Sequence, residues 1–461
     1  MRSLRNPFDV RPGELQPALL MFGFFFSIIA VFQILKPLKK GLFIAQFGAE
    51  HELIAKGINI DVAFSAMIAF TYLYNWLGGR RLVRFLCGFF LLTLLVFLPV
   101  LSDAPSTIVN YTFYLFGDLW STVWVAIFWA FLNEVSTTEQ SERLYGLIGT
   151  GGLLGGVTGS ALVAGTVRTY SSAPLIWLCL GFTGLILLFT WRIDRLVQRS
   201  GTPMVYREQP LRLEKVKVLS ALDGARLVVK SKYLLSIVAI LALYEFCSQI
   251  LDFQFSSVLA KAVAGGRNMQ AYLGSVYLAT NILAFASQLI LTTLLLKRSG
   301  HGAGLIILPA AMSLTSAAFC LDPSLLMGSL LIISDNGLNY SINQTSREML
   351  FVPTSSDAQY KARAFTNMFV QRLAKGAATL LSAAFILIGV RWLSPFTVAI
   401  AAVWIWIALS AGRHFRSGGG QAGESTAQVE KRGVFQIVYP HPKGKHFSKF
   451  REEVTPYLPP L

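Results

Sequence analysis

Twelve times along this chain, apolar positions run on for about twenty residues or more, separated by short polar breaks. The runs fall at 17–36, 58–78, 83–102, 108–132, 144–167, 173–192, 233–256, 270–296, 303–321, 324–345, 364–390 and 394–412. A helix rises about 1.5 Å per residue, so about 20 residues cross about 30 Å of hydrocarbon. Each run therefore predicts a membrane-spanning helix. The alternating strands of a membrane barrel do not produce such runs. The expected fold is an all-α integral membrane protein of twelve transmembrane helices. It divides into a six-helix half at 1–192, a linker loop at 193–232, a second six-helix half at 233–412 and a basic tail at 413–461.

The two halves carry a faint repeat. Gln33-Ile34-Leu35 returns as Gln249-Ile250-Leu251, 216 residues later. Gly117-Asp118 matches Ser334-Asp335 at an offset of 217, and Asn133-Glu134 matches Arg347-Glu348 at 214. Three short matches at nearly one offset, in equivalent places, point to a parallel repeat. That is the layout of major-facilitator transporters, whose halves rock around a central site.

Composition agrees with this picture. Hydrophobic residues make up 54% and charged residues 14%, against about 25% charged in a soluble domain. The net charge of +16 reads as topology and contact with anionic lipid, not as a nucleic-acid surface. With the N-terminus inside, the cytoplasmic connections collect Arg80, Arg81, Arg84, the loop from Arg192 to Lys232, Lys297, Arg298, Arg347, Lys361, Arg363 and the tail from Arg413. Both termini are thus expected in the cytoplasm. The first 16 residues are polar and basic, and the next apolar run is longer than a signal-peptide core. A bacterial plasma membrane is the expected location. In the tail, Ser417-Gly418-Gly419-Gly420 reads as a flexible linker, and residues 434–439 as a short strand in an otherwise lipid-touching or disordered segment.

Several motifs can be set aside. Cys87, Cys179, Cys247 and Cys320 are far apart, and the histidines form no metal-ligand pair. No metal or cofactor is expected, and no nucleophile–base–orienter set points to an enzyme. The glycine-rich run Gly149–Gly159 lacks the Gly-Lys-Ser/Thr of a phosphate loop and lies inside a span. Its Gly151/Gly155, Gly152/Gly156 and Gly155/Gly159 spacings suit close helix packing.

Charges at membrane depth carry the chemistry, because each is expensive there. Lys36, Lys39 and Lys40 sit at the end of the first run, where a positive-inside chain should avoid them, with Pro37 expected to kink or end the helix. Ammonium groups beside a cavity would bind phosphate or carboxylate; a snorkelling belt at the interface is the other reading. Asp118 lies ten residues into its span, too short to reach water, so it needs a cation, a proton or a polar cavity. Glu245 and Asp252 are two turns apart in span seven, and Arg372 and Lys375 are three residues apart in span eleven. These four suggest a buried ion pair, either functional or structural. Asp335, Arg347 and Glu348 join Glu245 as candidates for ion pairing or gating.

At these positions the chain resembles the ATP/ADP translocase (nucleotide transporter) family of plastids and intracellular bacteria. Leu35-Lys36-Pro37-Leu38-Lys39-Lys40 is similar to the family's first-span Arg-Asp-x-Lys-Asp. Gly117-Asp118-Leu119-Trp120, Phe128-Trp129-Ala130-Phe131-Leu132-Asn133 and Tyr145-Gly146-Leu147-Ile148-Gly149 resemble its Glu-Leu-(Trp/Tyr)-Gly-Ser, Phe-Trp-Gly-Phe-Ala-Asn and Tyr-Pro-Leu-Phe-Gly segments. Ser231-Lys232-Tyr233-Leu234 and Arg347-Glu348-Met349 with Val352-Pro353 resemble Ser-Pro-Tyr-Leu and Lys-Glu-Met with Ile-Pro. The aspartates of the first-span motif are Pro37 and Lys40 here, and two family glutamates are aspartates. The resemblance implies an adenine nucleotide exchanger with its charged transport residues at Lys39, Asp118, Asp252 and Lys375.

The leading expectation is an alternating-access transporter, monomeric, for an anionic nucleotide-like solute. Lys36, Lys39, Lys40, Arg372 and Lys375 would bind the anion, and Asp118 and Asp252 would pair with these bases when the site is empty. Two alternatives stand beside it. One is a proton-coupled facilitator for a lipid, drug or other metabolite; the other is a membrane scaffold or sensor acting through the basic tail.

Overall fold

The computed structural model describes residues 11, 13–101, 105–136, 138–198, 218–288, 301–339, 343, 346–347, 350, 362–363 and 365–417. The described residues are helical almost throughout. The first helical stretch, Leu15–Val100, contains two non-helical residues, Gly48 (φ 80°, ψ 175°) and Gly78 (φ 72°, ψ 162°). That backbone region is essentially closed to any residue with a Cβ, so each glycine marks an obligatory break. The breaks divide the stretch into α1 (15–47), α2 (49–77) and α3 (79–100). The ammonium of Lys40 and a carboxylate oxygen of Glu52 lie 3.3 Å apart. Twelve residues of straight helix would separate them by about 18 Å, so the chain reverses at Gly48.

After these come α4 (Thr107–Val135), α5 (Thr138–Tyr170), α6 (Ala173–Val197) and the short α7 (Val218–Lys230). The second half supplies α8 (Lys232–Ala262), α9 (Gly266–Ala286), α10 (His301–Leu321) and α11 (Leu325–Leu338). A π-turn (Thr366–Val370) then runs into α12 (Gln371–Ala384), and α13 (Leu393–Ser417) follows. Seven helices among the described residues are long and apolar enough to cross a membrane, with Leu15–Val100 counted once. The expected strand at 434–439, residues 199–217 of the linker loop and the tail beyond 417 lie outside the described residues.

One expected boundary moves. The first helix does not end near Lys36 or Pro37; it continues to residue 47. Proline keeps a helix-compatible φ and costs chiefly the bond to the carbonyl one turn earlier, whereas Gly48 adopts a φ that no helix contains. Consequently Lys39 and Lys40 lie inside a helix at 5% and 4% exposure, not in a belt at its end. Residues 49–57, read as a loop, are the first turns of α2.

Lipid is as apolar as a leucine side chain, so helices in a membrane associate by close packing more than by the hydrophobic effect. The first half does this with aromatic rings and with glycines. Phe25 stacks on Phe128 at 4.4 Å, Phe24 meets Phe128 edge-on at 5.1 Å, and Phe90 of α3 meets Trp120 at 4.8 Å. On α5, a Cβ at Gly151 would approach the carbonyl oxygen of Phe22 to 2.5 Å, and one at Gly155 or Gly159 would collide with the carbonyls of Phe26 or Ala30. The glycine-rich run thus lets the backbones of α1 and α5 touch.

The halves meet through α1, α5 and α9. Gln270 of α9 donates to the Leu38 carbonyl at 3.5 Å and accepts from Ser172 at 2.9 Å. Farther along α9, Asn281 donates to Ser160 at 2.8 Å, and Gln33 donates to Asn281 at 3.4 Å.

Candidate functional site

The buried lysines of α1 are the centre of a charge cluster shared by both halves. Lys39 pairs with Asp118 of α4, its ammonium 4.4 Å from the Tyr114 ring centroid. The pair is possible because residue 117 is glycine. A Cβ there would come within 2.6 Å of the Lys39 stem. One residue on, Lys40 donates to Asp252 of α8 at 2.6 Å and lies 3.3 Å from Glu52 of α2. Lys56, one turn after Glu52 on α2, pairs with the other oxygen of Asp252 and lies 3.5 Å from Glu52. The Tyr114 hydroxyl donates to Glu52 at 3.2 Å.

Asp252 therefore holds two lysines of the opposite half. Buried charges cost several kcal/mol each to desolvate, and this cluster offsets that cost by sharing carboxylates between ammonium groups. The sharing is unequal, however. Lys36, Lys39, Lys40 and Lys56 face three carboxylates, those of Glu52, Asp118 and Asp252. Lys36 has no carboxylate within 4 Å among the described residues. Its ammonium sits over Tyr277 of α9 at 4.3 Å and near Phe32 at 5.8 Å. Aromatic faces hold a cation weakly enough to release it to an anion.

The other expected residues lie apart from this cluster or at its edge. Lys375 meets Glu245 at 3.3 Å, inside the second half, with Lys375 almost half exposed. Arg372 donates to the Ile60 carbonyl of α2 at 3.0 Å and lies over Phe64 at 4.9 Å, so it links the halves without a carboxylate. Asp252 does not join Arg372 or Lys375; α8 turns it toward α1 and α2. Asp335 accepts from Ser248 at 2.6 Å and is 1% exposed. Arg347 lies over Tyr244 at 5.0 Å. Glu348 is outside the described residues.

Sequence reasoning missed Glu52, Lys56 and Tyr114. The four-residue spacing of Glu52 and Lys56 is a helix-pair signal that was available, but it fell in a segment read as a loop. A cluster of this composition can receive a polyanion: three carboxylates occupy the lysines and can be displaced, and one lysine has no carboxylate to give up.

A family profile described as "TLC ATP/ADP transporter" matches residues 107–322. The chain is 22% identical to ADP,ATP carrier protein 2, chloroplastic, of Arabidopsis thaliana, over 97% of this chain and 83% of that protein. It is 21% identical to ADP,ATP carrier protein 1 of Chlamydia muridarum (strain MoPn / Nigg), over 91% of this chain and 93% of that one. Among solved structures it is similar to the nucleoside transporter NupG, with a TM-score of 0.54 and 14% identity over 88% of this chain and 99% of that chain. An auto inhibited POT family peptide transporter gives a TM-score of 0.56 and 11% identity, covering 87% and 96%. These likenesses carry the fold: an all-α, multi-pass membrane protein with the helix arrangement of those two transporters.

Proposed function

We propose that this chain, a relative of the TLC ATP/ADP transporters, is an alternating-access carrier that exchanges adenine nucleotides across a membrane. The observation that carries the mechanism is Asp252, which clamps Lys40 and Lys56 of the opposite half. In the empty carrier these contacts hold the halves together. An entering polyphosphate brings more negative charge than one carboxylate and competes for the same ammonium groups.

The sequence of events follows from the charge balance. Lys36, held by aromatic faces and by no carboxylate among the described residues, makes the first contact. Lys39 and Lys40 then transfer from Asp118 and Asp252 to the phosphates. With the clamp replaced by ligand, the halves are free to rock about the site. An unloaded carrier must restore its ion pairs and so resists reorientation, which makes transport an exchange. Arg372, bonded across to α2, acts as a second latch between the halves. Glu245 and Lys375 form a pair within the second half that a bound phosphate on Lys375 would open.

The carrier is read as a monomer in a bacterial plasma membrane, with both termini cytoplasmic and basic loops against anionic lipid. The test is uptake of labelled ATP into liposomes holding the purified protein, with and without ADP inside. Uptake that depends on internal ADP supports exchange. Uptake indifferent to internal nucleotide and driven by an imposed pH gradient overturns it.

A further inference from the structure

A cavity of about 120 Å³ lies along α1, α4, α5 and α9, one helical turn from the lysine cluster. Phe25, Phe32 and Trp129 give it aromatic walls, and Gly149 and Gly152 of α5 form a flat side. At Gly149 an added Cβ would meet nothing within 4 Å, so this side is open. At about 120 Å³ it is smaller than the cavity of about 150 Å³ that holds a benzene ring, so a ring seated here extends through the open side. Flat aromatic and glycine walls suit a planar heterocycle that stacks.

Two amides set the polarity of this cavity. The Asn281 amine donates to Ser160 Oγ at 2.8 Å, to the Tyr277 carbonyl at 2.9 Å and to the Gly156 carbonyl at 3.3 Å. Three acceptors on one side fix the orientation of Asn281, so its carbonyl oxygen faces Gln33. Gln33 must then present its amine to that oxygen, over a long 3.4 Å contact. Its own carbonyl oxygen is left over. Gln33 is 6% exposed, and Gln33 Oε1 has no hydrogen-bond partner among the described residues. A buried acceptor without a donor is costly, and a ligand that reached Gln33 Oε1 would have to bring a donor to it.

Resting on the nucleotide-exchange reading above, we propose that this cavity is the base subsite and that Gln33 selects a base carrying an exocyclic amine. A glutamine amide matches the adenine edge, its oxygen accepting from N6 and its amine donating to N7. A keto group in place of that amine would set oxygen against oxygen. The spacing also fits one ligand. Gln33 precedes Lys36 by about 4.5 Å and Lys40 by about 10 Å along α1, so a base on Gln33 places a phosphate chain at the lysines.

The experiment is equilibrium binding of ADP and of inosine diphosphate to the full-length protein in detergent, for wild type and Gln33→Met. The two ligands share ribose and phosphates and differ at the amine. Wild type is expected to bind ADP about tenfold or more tightly than inosine diphosphate. Gln33→Met should weaken ADP to the level of inosine diphosphate and leave the latter unchanged, which also reports that the phosphate site is intact. Equal wild-type affinities overturn the base subsite while leaving nucleotide exchange standing. Binding of neither ligand by folded wild type overturns the exchange reading itself. Discrimination that survives in Gln33→Met removes Gln33 from the role, and if that variant does not fold, the wild-type ratio alone decides.

Discussion

Lys40 on the first helix and Asp252 on the first long helix of the second half meet at 2.6 Å, and Lys56 takes the other carboxylate oxygen of Asp252. One carboxylate thus neutralises two lysines that belong to the opposite half. Glu52 lies behind both lysines, at 3.3 Å and 3.5 Å, and is 1% exposed. Removing Asp252 leaves two ammonium groups to share Glu52 alone.

Asp252→Asn is therefore expected to loosen exchange, letting the empty carrier reorient so that ATP uptake depends less on internal ADP. Stranding a buried cation costs about 3–5 kcal/mol, and here the cost falls on the state in which the halves are clamped. Spin labels on the two halves should show a shorter-lived or absent clamped population, with labelled ATP uptake proceeding without internal ADP. Unchanged uptake and unchanged inter-half distances would remove Asp252 from the mechanism.

Lys36 and Lys39 should respond differently to mutation, although they are one turn apart. Among the described residues, Lys36 pairs with no carboxylate and lies over the Tyr277 and Phe32 rings. Lys36→Gln should leave thermal stability nearly unchanged and raise the KM for nucleotide about tenfold, the worth of one charge-assisted contact. Lys39→Ala leaves the partly exposed Asp118 carboxylate without its ammonium and should lower stability by about 1–3 kcal/mol as well as uptake. Paired thermal-shift and uptake measurements distinguish them. Equal losses of stability would show that Lys36 has a hidden structural partner.

The apolar runs made the helices legible, because a residue facing lipid or a packed neighbour must be apolar whatever the fold. Asp118 and Asp252 were visible as charges with no route to water. The extent of the first helix was not legible. Hydropathy falls at Lys36–Lys40, which looks like the edge of a membrane, yet Lys39 and Lys40 are neutralised inside the protein by Asp118, Glu52 and Asp252. A neutralised charge and a solvated one have the same letter in a sequence. Glu52 and Lys56 were hidden for the same reason, being polar residues in what seemed an outer loop. The amides of Gln33 and Asn281 left almost no hydropathy signal. Gln33 stood out only through its match to Gln249.

The glycines of α5 should divide into two kinds. A Cβ at Gly159 would collide with the Ala30 carbonyl, whereas one at Gly165 would meet nothing within 4 Å. Gly159→Val is expected to separate α1 from α5 and destabilise the first half by about 1–3 kcal/mol or more, lowering both Tm and the yield of folded protein. Gly165→Ala, on the same helix, should be neutral or slightly stabilising, as alanine favours helix by about 1 kcal/mol over glycine. Equal tolerance at both positions would mean that α1 and α5 do not touch.

Asp335 tests exchange against proton coupling. It is 1% exposed, accepts from Ser248 at 2.6 Å through one oxygen, and its other oxygen has no partner among the described residues. No lysine or arginine among the described residues pairs with it. A proton-coupled carrier would use such a carboxyl as its proton site. In the exchanger proposed above, the driving force is nucleotide on the far side, and the lysine cluster already accounts for the coupling. Asp335→Asn keeps an acceptor for Ser248 and removes a buried acid. It is therefore expected to leave ATP/ADP exchange within about twofold of wild type and to hold or raise Tm, since an unpaired buried charge costs more than an amide. The measurement is uptake of labelled ATP at matched internal ADP, with and without an imposed pH gradient. A gradient that drives wild-type uptake, together with loss of that uptake in Asp335→Asn, would assign Asp335 as a proton carrier and replace exchange with proton coupling.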